Sequence, residues 1–368
     1  MKKISALVLA LAMALSLTAC GGGASSSGAA SSGAASSGAA SSGAASTGAD
    51  YSSLDPVTLT GADSSSQGAA AQLFGEMVAA KVDEITGGQL TIDYYPNGEL
   101  GADTDLLRQL QSGDIDLFVG QTAPVVSFVP DVAVYDLPMV FAKYDGATID
   151  KVLNGDSEFN NTLKASFNAA GFQLMGTLQN ATYRLTTSNT ELATLADFEG
   201  LQIRTMENTN HMAFWQAIGA EPTPMAWNEV YFALQSGNLA AQENAADTIV
   251  GANLNEVQKY LSLTNHILYA NMMIMNQASY DALDPLYQEA LNQAVSESLT
   301  EMSAQLAQID ADNKADLESK GMTITEYAPE FYDEVLAVPG VQELYTTINA
   351  SVNGLGETLQ AELEAAAG

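Results

Sequence analysis

Residues 219–244 read GAEPTPMAWNEVYFALQSGNLAAQEN. Pro222 and Pro224 hold the opening of this stretch extended, because each fixes φ and removes a backbone donor. Trp227 follows, just before a helix expected to start near Asn228 and to stop at Gly237. A turn of this kind can point an indole into a cleft while the helix anchors it, although the same indole also suits a core position. The rest of the chain alternates in the same way. Val57-Thr58-Leu59-Thr60 reads as a strand, and Phe74, Met77, Val78, Val82 and Ile85 mark a helix stopped by Gly87-Gly88. Leu90, Ile92 and Tyr94 alternate as a second strand, broken at Tyr95-Pro96-Asn97-Gly98. Leu106, Leu107 and Leu110 mark a helix ended by Gly113, before an apolar strand from Ile115 to Val119. Strands separated by helices predict an α/β fold of parallel sheets with helices on both faces. Ligands of such sheets sit in loops beyond the carboxyl ends of the strands.

Leu286 to Lys320 contains neither Gly nor Pro, and Val295, Leu299, Met302, Leu306 and Ile309 recur at spacings of four and three. That pattern predicts one long amphipathic helix, on the order of 45 Å or more, able to lean across two domains. The amino terminus sets location. Lys2 and Lys3, an apolar run from Ile4 to Leu17, and Leu17-Thr18-Ala19-Cys20 have the form of a secretory signal ending in a lipobox, with Cys20 the lipidated residue. Residues 21–52 are dominated by Gly, Ala and Ser and predict a flexible tether. The folded part then begins near Ser53 and is long enough for two domains.

With 44 acidic residues against 12 Lys and Arg, a net charge of −32, nucleic acid is excluded as a partner. An anionic ligand must meet a local positive site. Arg184 and Arg204 are two of only three arginines, each in an extended segment. Either grips a ligand carboxylate in bidentate fashion, or pairs with one of the chain's own acids. Enzymatic readings are thin. His211, read as a surface or capping residue, and His266, read as a hydrogen-bonded hinge residue, lack a partnered nucleophile, and two distant histidines make a zinc site improbable. Asp114 and Asp116 read as solvent-facing. Asp310, Asp312 and Asp316 fail as a calcium loop because Lys314 and Ala315 occupy its fifth and sixth positions. No catalytic residue, metal or cofactor is expected.

Arg204 within Gly-Leu-Gln-Ile-Arg, the Pro-Thr-Pro-Met-Ala-Trp-Asn-Glu-Val-Tyr turn, Gln242-Glu243-Asn244, and Glu256 to Leu261 with Asn265-His266 form a series in the carboxyl half. With Tyr95-Pro96-Asn97-Gly98-Glu99-Leu100-Gly101 and Tyr135-Asp136-Leu137-Pro138, it resembles the DctP-type solute-binding proteins of tripartite ATP-independent periplasmic (TRAP) transporters, over nearly all of residues 55–350. The resemblance implies two lobes around a ligand cleft, braced by a long helix: 53–181 plus about 270–309, and 182–269 plus about 310–363. It implies that Arg204 salt-bridges a ligand carboxylate, that Arg184 is a second cleft arginine, that Asn244 orients the carboxylate and that Trp227 is an aromatic wall. Gln121 falls where some members place a glutamate that contacts ligand hydroxyls; Ser65 and Gln67 lie on the first strand-to-helix loop. Two departures stand out. Ala240-Ala241 replace a common Asp-Gly, and the neutral Gln121 weakens the case for a sugar acid. The implied function is capture of a small organic acid, mono- or dicarboxylate before sugar acid, and its delivery to membrane permease subunits from a lipid-anchored, extracytoplasmic position. The alternatives are a ligand-sensing surface lipoprotein and a surface-anchored hydrolase.

Overall fold

A computed structural model describes residues 49–368, which form one compact unit. Cys20 and most of the tether lie outside the described residues. Eleven strands follow in chain order: β1 (Val57–Ala62), β2 (Leu90–Tyr95), β3 (Leu117–Gln121), β4 (Phe172–Leu178), β5 (Leu185–Ser188), β6 (Gln202–Thr205), β7 (Glu221–Pro224), β8 (Ala241–Asn244), β9 (Tyr260–Ser262), β10 (Asn271–Asn276) and β11 (Thr323–Thr325). They build two sheets, ordered β2-β1-β3-β10-β4 and β11-β9-β5-β8-β6-β7, one in each lobe.

Local sequence explains the elements. The helix Ala70–Thr86 buries Phe74, Val78 and Val82 against the first sheet, and Gly87, at φ +61°, ends it in the left-handed conformation that glycine tolerates best. The prolines of β7 sit on a sheet edge, where a missing N–H costs no ladder bond. β10 is buried at every position, as suits a central strand.

The sheets are not purely parallel, which corrects the expectation from helix–strand alternation. β10 inserts antiparallel between β3 and β4, and β5 pairs antiparallel with both β8 and β9. The reason is connectivity. The chain leaves the first lobe after β4, builds most of the second, and returns through a segment with no helix before β10. The two crossing segments bond to each other: Arg184 N–H donates to Ile267 O at 2.9 Å and Tyr269 N–H to Thr182 O at 2.8 Å.

A third crossing is the helix Pro285–Ser319, 35 residues and about 52 Å long. Asp284 caps it, accepting from Leu286 N–H at 2.9 Å. It packs against the helix Ala70–Thr86 and β4 in the first lobe and against the helix Ala246–Gly251 in the second. Asp310 lies along it, paired with Lys314 at 2.6 Å. The last helix, Leu355–Ala367, packs on the helices Gly146–Leu153 and Glu158–Ala169 of the first lobe. Glu362 there accepts from the Glu158 and Phe159 amides at 2.8 and 2.9 Å. The carboxyl-terminal segment, expected with the second lobe to about residue 363, thus ends on the first.

Candidate functional site

The parallel strands β1, β3, β6 and β8 point their carboxyl ends at the gap between the lobes, and the antiparallel β10 begins there. Ser64 and Ser65 follow β1, Gln121 ends β3, Arg204 sits on β6, Asn244 ends β8 and Asn271 opens β10. Asp103 and Trp227 each occupy the first turn of a helix. Together with Thr248 and Met206 these groups line a partly open cavity, with ≈ 370 Å³ of empty space when the solvent at its mouth is included. Such a switch point between strand ends is where open α/β sheets take ligands.

Arg204 is the positive group of this cavity. It is 2 % exposed, and its Nε and Nη2 donate to the backbone carbonyl of Met225 at 3.0 and 2.7 Å. Nη1 is buried with no partner at all. The indole of Trp227 lies 5.4 Å from the guanidinium carbon, a cation–π distance, while its Nε1 donates across the gap to Ser66 Oγ at 3.0 Å. Burial lowers the Arg204 pKa to about 10, with the positive charge of Arg184 adding to the effect and Glu243 and Asp103 opposing it. The cation is therefore held in place by a neutral carbonyl and polarised by distant acids, with one donor nitrogen left over.

Arg184 is also 2 % exposed but differently placed. Its Nε and Nη2 bond the Glu243 carboxylate, Nη2 also reaches Glu243 O at 2.9 Å, and Nη1 meets Gln121 Oε1. His266 Nε2 reaches the same carboxylate at 3.2 Å and its Nδ1 lies 3.1 Å from Thr264 Oγ1. Burial alone would raise the Glu243 pKa, but Arg184 and His266 hold it well below the usual carboxylate range. Burial lowers the pKa of His266 in turn, against the pull of Glu243. The expectation for Arg184 is corrected accordingly: its charge is spent on the chain's own glutamate, and it does not line the cavity, touching it only through Gln121.

Asn244 accepts at Oδ1 from Ala245 N–H at 3.0 Å and Gln121 Nε2 at 3.3 Å, which leaves its amide nitrogen for the cavity. Ser65 lines the cavity, its hydroxyl donating to Asp63 at 2.6 Å. Gln67 does not belong to the inner cavity; it is exposed in the wider outer cleft with Asn97, Gly98 and Asn228. Three further groups escaped sequence reasoning. Asp103 accepts from Ser64 Oγ at 2.5 Å, and burial raises its pKa against the pull of Ser64 and Arg204. Asn271 is buried at the cavity wall with both amide atoms unpartnered, and Thr248 comes from the short helix Ala246–Gly251 after β8. An acid opening a helix and an amide inside an apolar strand were the available signals.

Two other expectations change. His211 is buried rather than on the surface, with Nε2 3.1 Å from Asp136, a residue that also accepts from Asn208 and Asn210 at 2.9 Å. Asp116 is not simply solvent-facing; it ties Thr60 N–H and Ser279 Oγ at 2.8 and 2.6 Å.

Two lobes, a helical brace and a recessed arginine define a binding protein rather than an enzyme. The profile of the bacterial extracellular solute-binding proteins, family 7, matches residues 58–350, and the chain belongs to that family. A solute-binding protein of Verminephrobacter eiseniae is 32 % identical over 73 % of this chain and 78 % of its own. The 2,3-diketo-L-gulonate-binding periplasmic protein YiaO of Escherichia coli is 30 % identical over 64 % of this chain and 70 % of its own. A crystal structure of a TRAP periplasmic solute-binding protein from a Bordetella species, with density assigned as pantoate, superposes with a TM-score of 0.74 at 30 % identity, covering 82 % of this chain and 99 % of that one. The protein is thus an extracytoplasmic solute-binding protein of the TRAP type, and the hydrolase alternative falls away.

Proposed function

We propose that the cavity receives a small monocarboxylate bearing hydroxyl groups, which the protein delivers to the membrane permease of a TRAP transporter. The observation that carries this reading is the buried, unpartnered Nη1 of Arg204. A ligand carboxylate supplies the missing acceptor, with the Asn244 amide as a second donor, in a low-dielectric setting where charge-assisted bonds are strong. Asp103 sits in the same cavity and cannot welcome a second carboxylate; with Ser64, Gln121 and Asn271 it suits hydroxyls instead. This reverses the order suggested by the neutral Gln121, because the acid absent there is present at Asp103. The printed ligands of two relatives, 2,3-diketo-L-gulonate and pantoate, each carry one carboxylate and hydroxyls.

Calorimetric titration with pantoate, gluconate and succinate tests the reading. The hydroxylated monocarboxylates are expected to bind, and succinate to bind at least about tenfold more weakly. Equal or tighter binding of succinate removes the role given to Asp103, and no binding of any carboxylate sinks the whole reading.

The anchoring part rests on Lys2, Lys3, the apolar run and Cys20. A lipid on Cys20, followed by the Gly-, Ala- and Ser-rich stretch, holds the binding unit close to its permease; the folded part starts slightly before the expected Ser53, because Tyr51–Ser53 form a short 3-10 helix and Tyr51 stacks on Tyr287. Cys20→Ser is expected to move the protein from the membrane to the soluble fraction.

A further inference from the structure

The helix Ala70–Thr86 opens the first lobe's side of the cavity, yet its own sequence leaves its amino terminus bare. Its N-cap position is Ala69, which has no side chain to accept a backbone N–H, and no acid lies in its first turn. Helix starts normally find such an acceptor, and a negative charge there is favoured by the helix dipole. The acceptor comes instead from the other lobe. Asp247, in the helix Ala246–Gly251, accepts from Ala70 N–H at 2.8 Å through Oδ2. The same oxygen takes the Tyr269 hydroxyl at 3.1 Å, and Oδ1 takes Thr248 N–H at 2.5 Å. Asp247 is 6 % exposed, and no cation forms a salt bridge with it among the described residues.

A second observation comes from the far end of the same short helix. A Cβ on Gly251 would fall 2.7 Å from Ser66 Cβ and 2.8 Å from Gln67 O, both in the first lobe. The backbone of Gly251 is not in the left-handed region, so conformation does not demand glycine there. Close approach of the two lobes does. Between these two contacts, Thr248 and Ala71 face the ligand cavity.

We propose that the helix Ala246–Gly251 is the closure latch of this protein, with Asp247 the positioning residue that docks on the bare start of the helix Ala70–Thr86 and Gly251 the gap that lets the lobes meet. Both contacts join this helix to the first lobe, and in the proposal both are made on closure and favour the closed population. Asp247 and Gly251 themselves lie outside the lining of the ligand cavity. The latch sets how long a captured acid is held, and it rests on the reading of the cavity as a ligand site that closes.

The test uses the full chain, with Asp247→Asn, Asp247→Ala and Gly251→Ala, and pantoate as the probe. Stopped-flow tryptophan fluorescence is expected to show dissociation faster by about tenfold or more in Asp247→Ala, with association within twofold of the parent. Asp247→Asn, which keeps an oxygen acceptor, is expected to lose less, and Gly251→Ala to lose affinity by wedging. Faster dissociation with unchanged association is a split that a merely structural role would not give. Unchanged dissociation in Asp247→Ala and Gly251→Ala overturns the latch. Failure of the parent to bind pantoate counts instead against the ligand reading. The latch is then decided without ligand, by the interlobe distance between nitroxides at Glu84→Cys and Asn238→Cys in a Cys20→Ser background. Asp247→Ala must widen that distribution, and an unchanged one overturns the proposal.

Discussion

Arg184 immediately precedes β5 and Arg204 lies on β6, the two neighbours of β8, and the two are equally buried. Arg184 has a carboxylate of its own, Glu243, reinforced by His266. Arg204 has only a carbonyl and keeps one nitrogen unpartnered. The difference teaches that a buried cation becomes a receptor by being denied an internal counter-charge. One arginine builds the wall; its neighbour on the far side of β8 waits in it.

The contrast can be broken most severely at Glu243. Glu243→Gln leaves Arg184 buried without its partner and is expected to destabilise folding by about 3–5 kcal/mol, measured by denaturant unfolding. The sign with pH follows from the depressed carboxyl pKa. The pair's contribution is fully present above the unfolded value of 4.5 and is lost as pH falls below it, so the parent loses stability on acidification more steeply than Glu243→Gln. Next in size, Arg204→Ala is expected to weaken binding of the acid by about 2–5 kcal/mol in calorimetry while leaving the fold intact, and Arg204→Lys to restore only part of it. Retained affinity in Arg204→Ala would erase the distinction between the two arginines. Asp103→Asn sharpens it from the opposite wall: affinity for hydroxylated monocarboxylates drops by about 1 kcal/mol and succinate gains, read from paired titrations. Gln67→Ala, at the exposed rim, should change affinity by less than about twofold.

Much of this was legible in the sequence. The 35-residue helix announced itself by its spacing and by the absence of Gly and Pro, and the glycine stops at Gly87 and Gly113 ended helices where expected. Arg204 could be singled out because arginine is scarce in so acidic a chain. What could not be read was pairing across long separations. Nothing near Arg184 distinguishes it from Arg204 until β5 and β8 lie side by side and bring Glu243 onto it. The antiparallel entry of β10 depends on the path of the return crossing, which no local propensity records. Asp103 is one acid among 44 by sequence, and only the fold places it beside Ser64 on the cavity wall.

The helix Pro285–Ser319 carries a mechanical consequence. A rod free of glycine and of internal proline, seated on both lobes, has no joint at which to fold. Opening of the mouth must therefore flex it along its whole length or slide it on one seat, and either resists progressively, as a leaf spring does. The widest gape, and with it the bulkiest guest admitted, is set by the stiffness of a backbone that never touches the cargo.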